Sequence, residues 1–224
     1  MDNKVKQFWK PQLVDLDPNF KFLLVDNWYT PEEEEAVWSE LDFYNHQPNI
    51  QRAESTIVAR DKNDKPLSNS YRFYMTDYYT EVGYKKSPIT NCMYKQKTPE
   101  FHHMLKDILP YSRSFFSTNR DSTLISYYEE NDHYSSHCDT FMWTNLIWFV
   151  REPRKFEGGD FDFPESKIQV KLKHNRAIFF PSCYLHRVSP VKFHTPIEKK
   201  GEGRFTITHF YYWEAPKEPV VDGN

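Results

Sequence analysis

The sequence has few cysteines, and those it has form no pattern. Cys92, Cys138 and Cys183 are an odd number and lie far apart along the 224 residues. A secreted fold held by disulfides usually carries an even set of cysteines at close spacing, so a disulfide framework is not indicated. We therefore expect a reducing compartment, and the cytoplasm as the location.

The chain also lacks an excess of positive charge and any long hydrophobic run. Its 29 Lys and Arg residues against 32 Asp and Glu residues give a net charge of -3. A nucleic-acid-binding surface usually needs a basic excess, so no nucleic-acid partner is expected. No apolar run approaches the length that spans a bilayer, and the N-terminal segment has no apolar signal-peptide core. We expect no membrane partner.

Aromatic residues are abundant instead, at 17% of the chain with 15 Tyr and 18 Phe. They favour strands and an aromatic-lined cavity over a helical bundle. From Thr123 onward, short strand-like segments recur between turn signals, namely 123–128, 141–151, 160–163, 168–172, 176–180, 186–191 and 203–213. This number and spacing predict a mainly β (α+β) protein with a two-sheet jelly-roll core.

The N-terminal part is expected to support that core with strands and helices. Residues 1–19 are interpreted as an extended lead-in, and Phe20–Asp26 as a strand that is apolar on both faces. A short strand is expected at 55–60, followed by a polar loop at 61–69. A second helix is expected from the cap residue Thr98 to Pro110.

The first helix has the clearest start signal in the chain. Thr30 is a suitable N-cap, Pro31 follows at the first helical position, and Glu33 completes a capping box. An apolar stripe is expected to face the sheet, with Trp38 at its flank; it consists of Ala36, Val37 and Leu41.

A metal site is indicated in the second half of the chain by the types and spacing of His137, Asp139 and His186. His137 and Asp139 are two positions apart, so on an extended strand both side chains leave the same face. Two imidazoles and one carboxylate on one face of an octahedron are the ligands of a non-haem Fe(II) oxygenase. A His-X-Asp pair alone is a weak signal, because about one is expected by chance here. Four other histidines are interpreted as structural or exposed: His133, His174, His194 and His209.

Further motifs surround these residues. Two tyrosines precede His137, Tyr128 by nine residues and Tyr134 by three. A Gly-Gly-acid turn that ends in Phe-Pro consists of Gly158, Gly159, Asp160, Phe163 and Pro164. A His-X-Val-X-Pro-Val pattern consists of His186, Val188, Pro190 and Val191. With them, residues 123–213 resemble the double-stranded β-helix core of the Fe(II)/2-oxoglutarate dioxygenases, specifically the prolyl 4-hydroxylase-like group. The strand and helix start at residues 24–33 resemble the N-terminal support of that group.

The resemblance implies catalytic and binding roles. The two histidines and the aspartate would ligate Fe(II), and Arg204 would pair with the distal carboxylate of 2-oxoglutarate. Tyr128 would donate a hydrogen bond to that cosubstrate, and Tyr134 would line the substrate side. An arginine suits the binding of the 2-oxoglutarate carboxylate because its planar guanidinium binds a carboxylate through two hydrogen bonds. The eighteen positions from His186 to Arg204 exceed the usual spacing of the group, so residues 192–202 are interpreted as a surface insertion.

The implied activity is Fe(II)- and 2-oxoglutarate-dependent hydroxylation of an unactivated C–H bond, with release of succinate and carbon dioxide. The cofactors would be Fe(II), 2-oxoglutarate and dioxygen, with ascorbate as an additional candidate. A prolyl residue in a peptide or protein is the first substrate candidate, and a free amino acid or small metabolite is the main alternative. A non-catalytic jelly roll that only binds or senses is the candidate from a different class.

We expect a single dioxygenase domain over residues 1–224. Its parts would be an N-terminal support at 1–117, a catalytic core at 118–214 and a tail at 215–224. The aromatic-rich segment 71–84 has two interpretations: an edge of the sheet that covers the core, or a lid that faces the substrate.

Overall fold

The computed structural model describes residues 10–17, 20–46, 50–79, 81–106, 112–197 and 199–215. The strands are β1 Lys10–Asp17, β2 Phe20–Asp26, β3 Gln51–Arg52, β4 Tyr71–Tyr74, β5 Arg120–Tyr128, β6 Tyr134–His137, β7 Trp143–Phe149, β8 Phe156–Gly158, β9 Phe161–Phe163, β10 Ile168–Val170, β11 Arg176–Pro181, β12 His186–Val188, β13 Val191–Phe193 and β14 Arg204–Tyr212. The α-helices are α1 Pro31–Asn45, α2 Met75–Tyr78, α3 Glu81–Lys86, α4 Pro88–Met93, α5 Pro99–Lys106 and α6 Arg113–Phe116, and two 3₁₀ turns occupy Ala53–Ser55 and Tyr94–Lys97.

The strands form one large and one small antiparallel sheet with a separate two-stranded ribbon. The large sheet has the order β1-β2-β11-β7-β14-β5-β4-β3, and the small sheet has the order β10-β9-β12-β6. The ribbon pairs β13 with β8. Two stacked antiparallel sheets with long crossovers confirm the predicted mainly β jelly roll.

The large sheet is buried on both faces, which explains its continuous apolar runs. On β2, Phe22 and Leu24 pack between the two sheets, whereas Leu23 and Val25 pack on the opposite face, towards the helices. β7 and β11 divide their side chains in the same alternating way. Successive side chains of a strand point to opposite faces, so each central strand contributes to two apolar cores. The strand prediction for Phe20–Asp26 is confirmed.

The helix α1 starts as its sequence predicts. The backbone N–H of Glu33 donates to the Thr30 hydroxyl, and the Glu33 carboxylate accepts from the Thr30 backbone N–H. Val37 and Leu41 are buried against the sheet. Ala36 is exposed, so its place in the predicted apolar stripe was wrong. The stripe is narrower than expected because only one edge of the helix contacts the sheet.

Other local predictions need correction. Residues 55–60 do not form a strand: a 3₁₀ turn ends at Ser55, and Arg60 makes only an isolated bridge to Pro66. The expected strand 186–191 is divided in two by Ser189 and Pro190, because proline has no N–H for the ladder. The described part of the extended lead-in forms the edge strand β1, a pairing that the sequence analysis did not predict. The sequence prediction also missed β6 and β8.

Segment 71–84 begins as a strand of the large sheet and continues as short helices. β4 pairs with β5, and Phe73 belongs to the core on the helix side. This arrangement matches the interpretation as a sheet edge more closely than that of a free lid. Helix α5 is capped by Thr98 as predicted, whereas its predicted end at Pro110 lies outside the described residues. Within the described ranges, no helix is long and apolar enough to span a membrane.

Candidate metal and cosubstrate site

The two histidines of the predicted metal site are cross-strand partners. β12 pairs with β6 in the small sheet, and His186 lies directly opposite His137 in the register. Opposed residues in an antiparallel pair have their Cβ atoms about 5 Å apart, so both imidazoles reach the same space. Asp139 lies just beyond the end of β6, where its backbone N–H donates to the Ser182 carbonyl at 3.0 Å. The pairing of two distant segments therefore completes the cluster.

The three side chains converge on one point. Nε2 of His137 lies 3.7 Å from Oδ1 of Asp139, and Nε2 of His186 lies 3.7 Å from Oδ2. All three candidate ligand atoms lie within 4.8 Å of one another. This spacing would suit a single cation held by three donors.

Hydrogen bonds to the backbone orient both imidazole rings. Nδ1 of His137 donates to the Ser135 carbonyl at 2.9 Å, and Nδ1 of His186 donates to the Tyr184 carbonyl at 2.8 Å. Because a carbonyl oxygen accepts only, the proton of each neutral ring lies on Nδ1 and the lone pair on Nε2. Burial, together with the charges of His186 and Arg72, lowers the pKa of His137 to about 3. His137 is therefore neutral at pH 7, as a ligand must be.

Asp139 is oriented by a short polar network. Oγ1 of Thr144 donates to Oδ2 of Asp139 at 2.8 Å and lies 2.8 Å from Oγ of Ser182. The single hydroxyl proton of Thr144 goes to the carboxylate, so Ser182 donates to Thr144. Thr144 and Ser182 are both fully buried. The sequence analysis missed Thr144, since a threonine within a strand carries no spacing signal.

Arg204 lies in the same cavity as the candidate ligands. Tyr128 and Tyr134 line this cavity as well. Arg204 starts the central strand β14 and is 0% exposed. Its Nη1 donates to the Thr206 hydroxyl, and its guanidinium carbon lies 4.7 Å from the centroid of the Tyr128 ring.

Two nitrogens of Arg204 remain unpartnered within the described part of the chain. Nε and Nη2 are buried and make no hydrogen bond. Burial lowers the pKa of Arg204 below its usual range, against the opposing influence of Tyr128. Buried guanidinium N–H groups are costly unless they meet an anion. The distal carboxylate of 2-oxoglutarate has the charge and the two acceptor oxygens that fit these donors.

Both predicted tyrosines line this cavity, and each contacts a different site residue. Tyr128 is the register partner of Arg204 on β5, and it contacts the guanidinium. The ring of Tyr134 stacks on the ring of His137, with centroids 3.5 Å apart and planes at 14°. Its hydroxyl accepts from the Ala59 backbone N–H at 3.3 Å. Tyr134 therefore forms the wall between the candidate metal ligands and the outer groove.

The segment before Arg204 is less of a free surface loop than the sequence indicated. Its first residues lie in β13, and at its end the backbone N–H groups of Gly201 and Gly203 donate to the Tyr127 hydroxyl at 2.8 and 3.2 Å. Tyr127 is fully buried. These bonds hold the chain at the start of β14, and the extra length does not displace Arg204 from the cavity.

The segment that carries this site matches a known family. A sequence model described as the 2OG-Fe(II) oxygenase superfamily matches residues 123–212, which include all four predicted catalytic residues. This match extends over less than half of the chain. The family resemblance predicted from the motifs is confirmed.

The chain is also similar, in part, to two PKHD-type hydroxylases. One, from Crocosphaera subtropica, is 32% identical over 82 residues, which are 32% of this chain and 37% of the relative. Another, from Thioalkalivibrio sulfidiphilus, is 49% identical over 47 residues, which are 19% of this chain and 20% of the relative. The chain thus covers well under half of the length of either hydroxylase.

Solved structures support the fold over most of the chain. A prolyl-4-hydroxylase from Pseudomonas putida matches with a TM-score of 0.57 at 12% identity, covering 93% of this chain and 94% of that one. A prolyl 4-hydroxylase from Phytophthora capsici matches with a TM-score of 0.53 at 16% identity, covering 86% of this chain and 58% of that one. At such identities, the similarity establishes the fold alone.

Proposed function

We propose that this chain is an Fe(II)- and 2-oxoglutarate-dependent dioxygenase that hydroxylates an unactivated C–H bond and releases succinate and carbon dioxide. The observation that carries the proposal is the pairing of two sites in one cavity. A His-Asp-His cluster with free Nε2 lone pairs lies beside a buried arginine that has two unpartnered N–H groups. A metal site and a carboxylate site together match the two ends of a chelating keto acid.

Each residue of the cavity then has a defined task. His137 and His186 would hold the metal through Nε2, and Asp139 would hold it through a carboxylate oxygen that Thr144 orients. Arg204 would bind the distal carboxylate of 2-oxoglutarate. When bound, Fe(II), the keto acid and dioxygen supply the oxidising chemistry for the C–H bond. The apolar walls of the cavity keep water away from the reacting atoms.

Two substrate classes are compatible with the relatives of this chain and with the residues that line the cavity. A prolyl residue in a peptide or protein is the first, because prolyl 4-hydroxylases share this fold and the matched relatives are PKHD-type hydroxylases. A free amino acid or other small carboxylic acid is the second, and the buried side chain of Arg72 in the cavity wall favours it. The two classes differ in whether the substrate presents a free carboxylate near the iron.

An anaerobic titration tests the activity class. The purified chain is titrated with Fe(II) and then with 2-oxoglutarate, while the weak visible absorption band of keto-acid-chelated iron is recorded. We expect the band in the native chain and its loss in His137→Ala. His194→Ala, which removes an exposed histidine that is not part of the cluster, is the control and should retain the band.

The absence of the band from the native chain would contradict the oxygenase proposal at its first step. The alternative would then be a jelly roll that binds or senses a ligand without catalysis. If the band appears in the native chain and in both variants, iron binds elsewhere and the proposed ligand set is wrong.

A further inference from the structure

Arg72 is a second buried arginine beside the candidate metal site. Only 5% of its surface is exposed. Its Nη1 donates to the Ile57 carbonyl at 2.8 Å, and its guanidinium carbon lies 5.0 Å from the centroid of the Tyr134 ring. Its Nε is buried with no hydrogen-bond partner in the described part of the chain. No described carboxylate forms an ion pair with Arg72, which is unusual for a buried cation.

Arg72 interacts favourably with three neighbouring tyrosines, Tyr134, Tyr74 and Tyr128, but none of these contacts supplies a counter-charge. The Ile57 carbonyl that it contacts also accepts a hydrogen bond from the Tyr74 hydroxyl at 2.9 Å. That carbonyl would therefore remain satisfied without the arginine. An apolar side chain of similar length would fill the same space without the cost of burying a charge. The arrangement is instead that of a binding site for an anion that arrives from outside.

The strand register directs Arg72 into the cavity. Arg72 lies opposite Ser126 on β5, which in turn lies opposite Thr206 on β14, the residue that accepts from Arg204. All four side chains line the same cavity. The guanidinium of Arg72, the ring of Tyr134 and the ring of His137 are stacked in that order. Arg72 therefore lies one aromatic ring away from a candidate metal ligand.

The charges that line the cavity leave one cation without a counter-ion. Two arginines line it, and Asp139 is its only carboxylate among the described residues. If Fe(II) and the 2-oxoglutarate dianion bind as proposed, Asp139 and the cosubstrate together offset the metal and Arg204. The positive charge of Arg72 remains. A buried charge of this kind favours a monoanionic ligand, and it disfavours a neutral one that would leave it unpaired.

We propose that Arg72 binds a free carboxylate of the substrate and so selects carboxylic acids over neutral amides. This inference rests on the proposed dioxygenase function and defines its substrate class. The α-carboxylate of a free amino acid and that of a peptide's C-terminal residue have the same chemistry, and either would pair with the guanidinium. An internal prolyl residue has only a neutral amide at that position and would leave Arg72 unpaired.

The outer groove supplies the complementary apolar contact. It opens from the cavity past Tyr134 and Arg72, and its walls include Ile57, Phe141 and Phe210. Phe141 and Phe210 stack with their centroids 4.3 Å apart. The groove also contains Asp77, which is exposed and makes no ion pair with Arg72. The apolar part of a substrate would lie against the aromatic wall while its carboxylate reaches Arg72.

Matched pairs of acids and amides test the proposal. The protein is loaded anaerobically with Fe(II) and 2-oxoglutarate and titrated by calorimetry with N-acetyl-L-proline, N-acetyl-L-leucine and N-acetyl-L-phenylalanine, and with the corresponding amides. Free L-proline is a further probe, which separates free amino acids from C-terminal residues. For at least one pair, we expect the acid to bind roughly tenfold or more tightly than its amide.

Arg72 variants then locate the preference. Arg72→Met should bring the acid and the amide to equal affinity, while leaving the affinity for 2-oxoglutarate unchanged. Arg72→Lys should retain part of the preference, since lysine keeps the charge but not the planar pair of donors. Arg60→Met removes an arginine outside the cavity and should leave the preference intact. If Arg72→Met does not fold, the Lys variant and the native acid-to-amide ratio still decide.

Several outcomes would overturn the assignment. These are equal binding of acids and amides in the native protein, no binding of any acid, an unchanged preference in Arg72→Met, or a large loss of 2-oxoglutarate affinity in that variant. The last result would move Arg72 to the cosubstrate site. Failure of the iron band in the native protein would instead refute the dioxygenase function itself, so the two failures are distinguishable.

Discussion

Asp139 depends on neighbours that do not themselves contact the proposed metal. The Thr144 hydroxyl donates to one of its carboxylate oxygens, and Ser182 contacts both Thr144 and the backbone at Asp139. Groups of this kind hold a ligand in the orientation that the metal requires, and their loss commonly lowers metal affinity.

Thr144→Val should therefore weaken Fe(II) binding by roughly 10- to 100-fold, because it removes this hydrogen bond with little change of shape. The measurement is a metal titration under anaerobic conditions. Thr123→Val is the matched control: Thr123 is also buried and also loses a hydrogen bond, in this case to His209. Equal metal affinities in both variants would show that Thr144 has no role in orienting Asp139.

Arg204 provides a second prediction at the residue scale. Arg204→Ala should lower the affinity for 2-oxoglutarate by roughly 2–5 kcal/mol, as expected for truncation of a buried charge pair. Titration of the metal-loaded protein with 2-oxoglutarate gives the value. Arg151→Ala, at an exposed arginine paired with Asp42, should leave it unchanged. An unaltered affinity in Arg204→Ala would remove Arg204 from the proposed site.

At the scale of elements, the turn between β8 and β9 packs against Arg204 of the proposed cosubstrate site. Gly158 and Gly159 both have positive φ values, +74° and +67°. A Cβ at Gly158 would overlap the Pro190 carbonyl, and one at Gly159 would lie 2.8 Å from Cδ of Arg204. The second glycine thus permits the close approach of the arginine stem.

We expect Gly159→Ala to lower 2-oxoglutarate affinity in addition to its cost in stability, because the new methyl group displaces Arg204. The strained φ alone costs about 1–3 kcal/mol. Gly201→Ala is the control: Gly201 has φ +98°, but a Cβ there would meet only the side chains of Asn45 and Asp42. Thermal unfolding and cosubstrate titration are measured on both variants. A loss of affinity in both, or in neither, would contradict this role of Gly159.

At the scale of the whole molecule, ion pairs join the N-terminal strand β2 to the later part of the chain, at β11 and Lys173. β2 lies between β1 and β11, and Asp26 on β2 accepts from Arg176 on β11 at 2.6 Å and from Lys173 at 2.7 Å. Partial burial tends to raise the pKa of Asp26, but the hydrogen bonds and charges of Arg176 and Lys173 lower it overall, below 3.8. The folded state therefore favours the ionised carboxylate.

This lowered pKa makes part of the stability dependent on pH. Because the folded-state pKa lies below that of the unfolded chain, the contribution is present above about pH 4 and disappears as the pH falls through the folded value. Asp26→Asn should unfold at a lower temperature than the native chain at pH 7, and the gap should narrow below about pH 4. Thermal unfolding measured from pH 7 down to well below pH 4 records this gap. A gap that stays constant down to acid pH would contradict the argument.

Sequence and tertiary structure determined different features of this protein. The capping box at Thr30, the two-faced apolar run of β2 and the jelly-roll class follow from local patterns, since period and cap chemistry depend on neighbours in the chain. The spacing of His137 and Asp139 also indicated that their side chains lie on the same face of an extended segment. The strand prediction for residues 55–60 was wrong. Whether such a short segment becomes a strand depends on contacts with other segments more than on its own propensity.

Only the tertiary structure decided which distant residues meet and which polar atoms are left buried. The register of β12 against β6 places His186 opposite His137, and the position of β14 in the sheet centre buries Arg204. Arg72 carried no signal in the sequence, because an arginine in an aromatic strand is ordinary until the cavity beside it is known. Sheet pairing over long separations sets such contacts, and no local pattern encodes them.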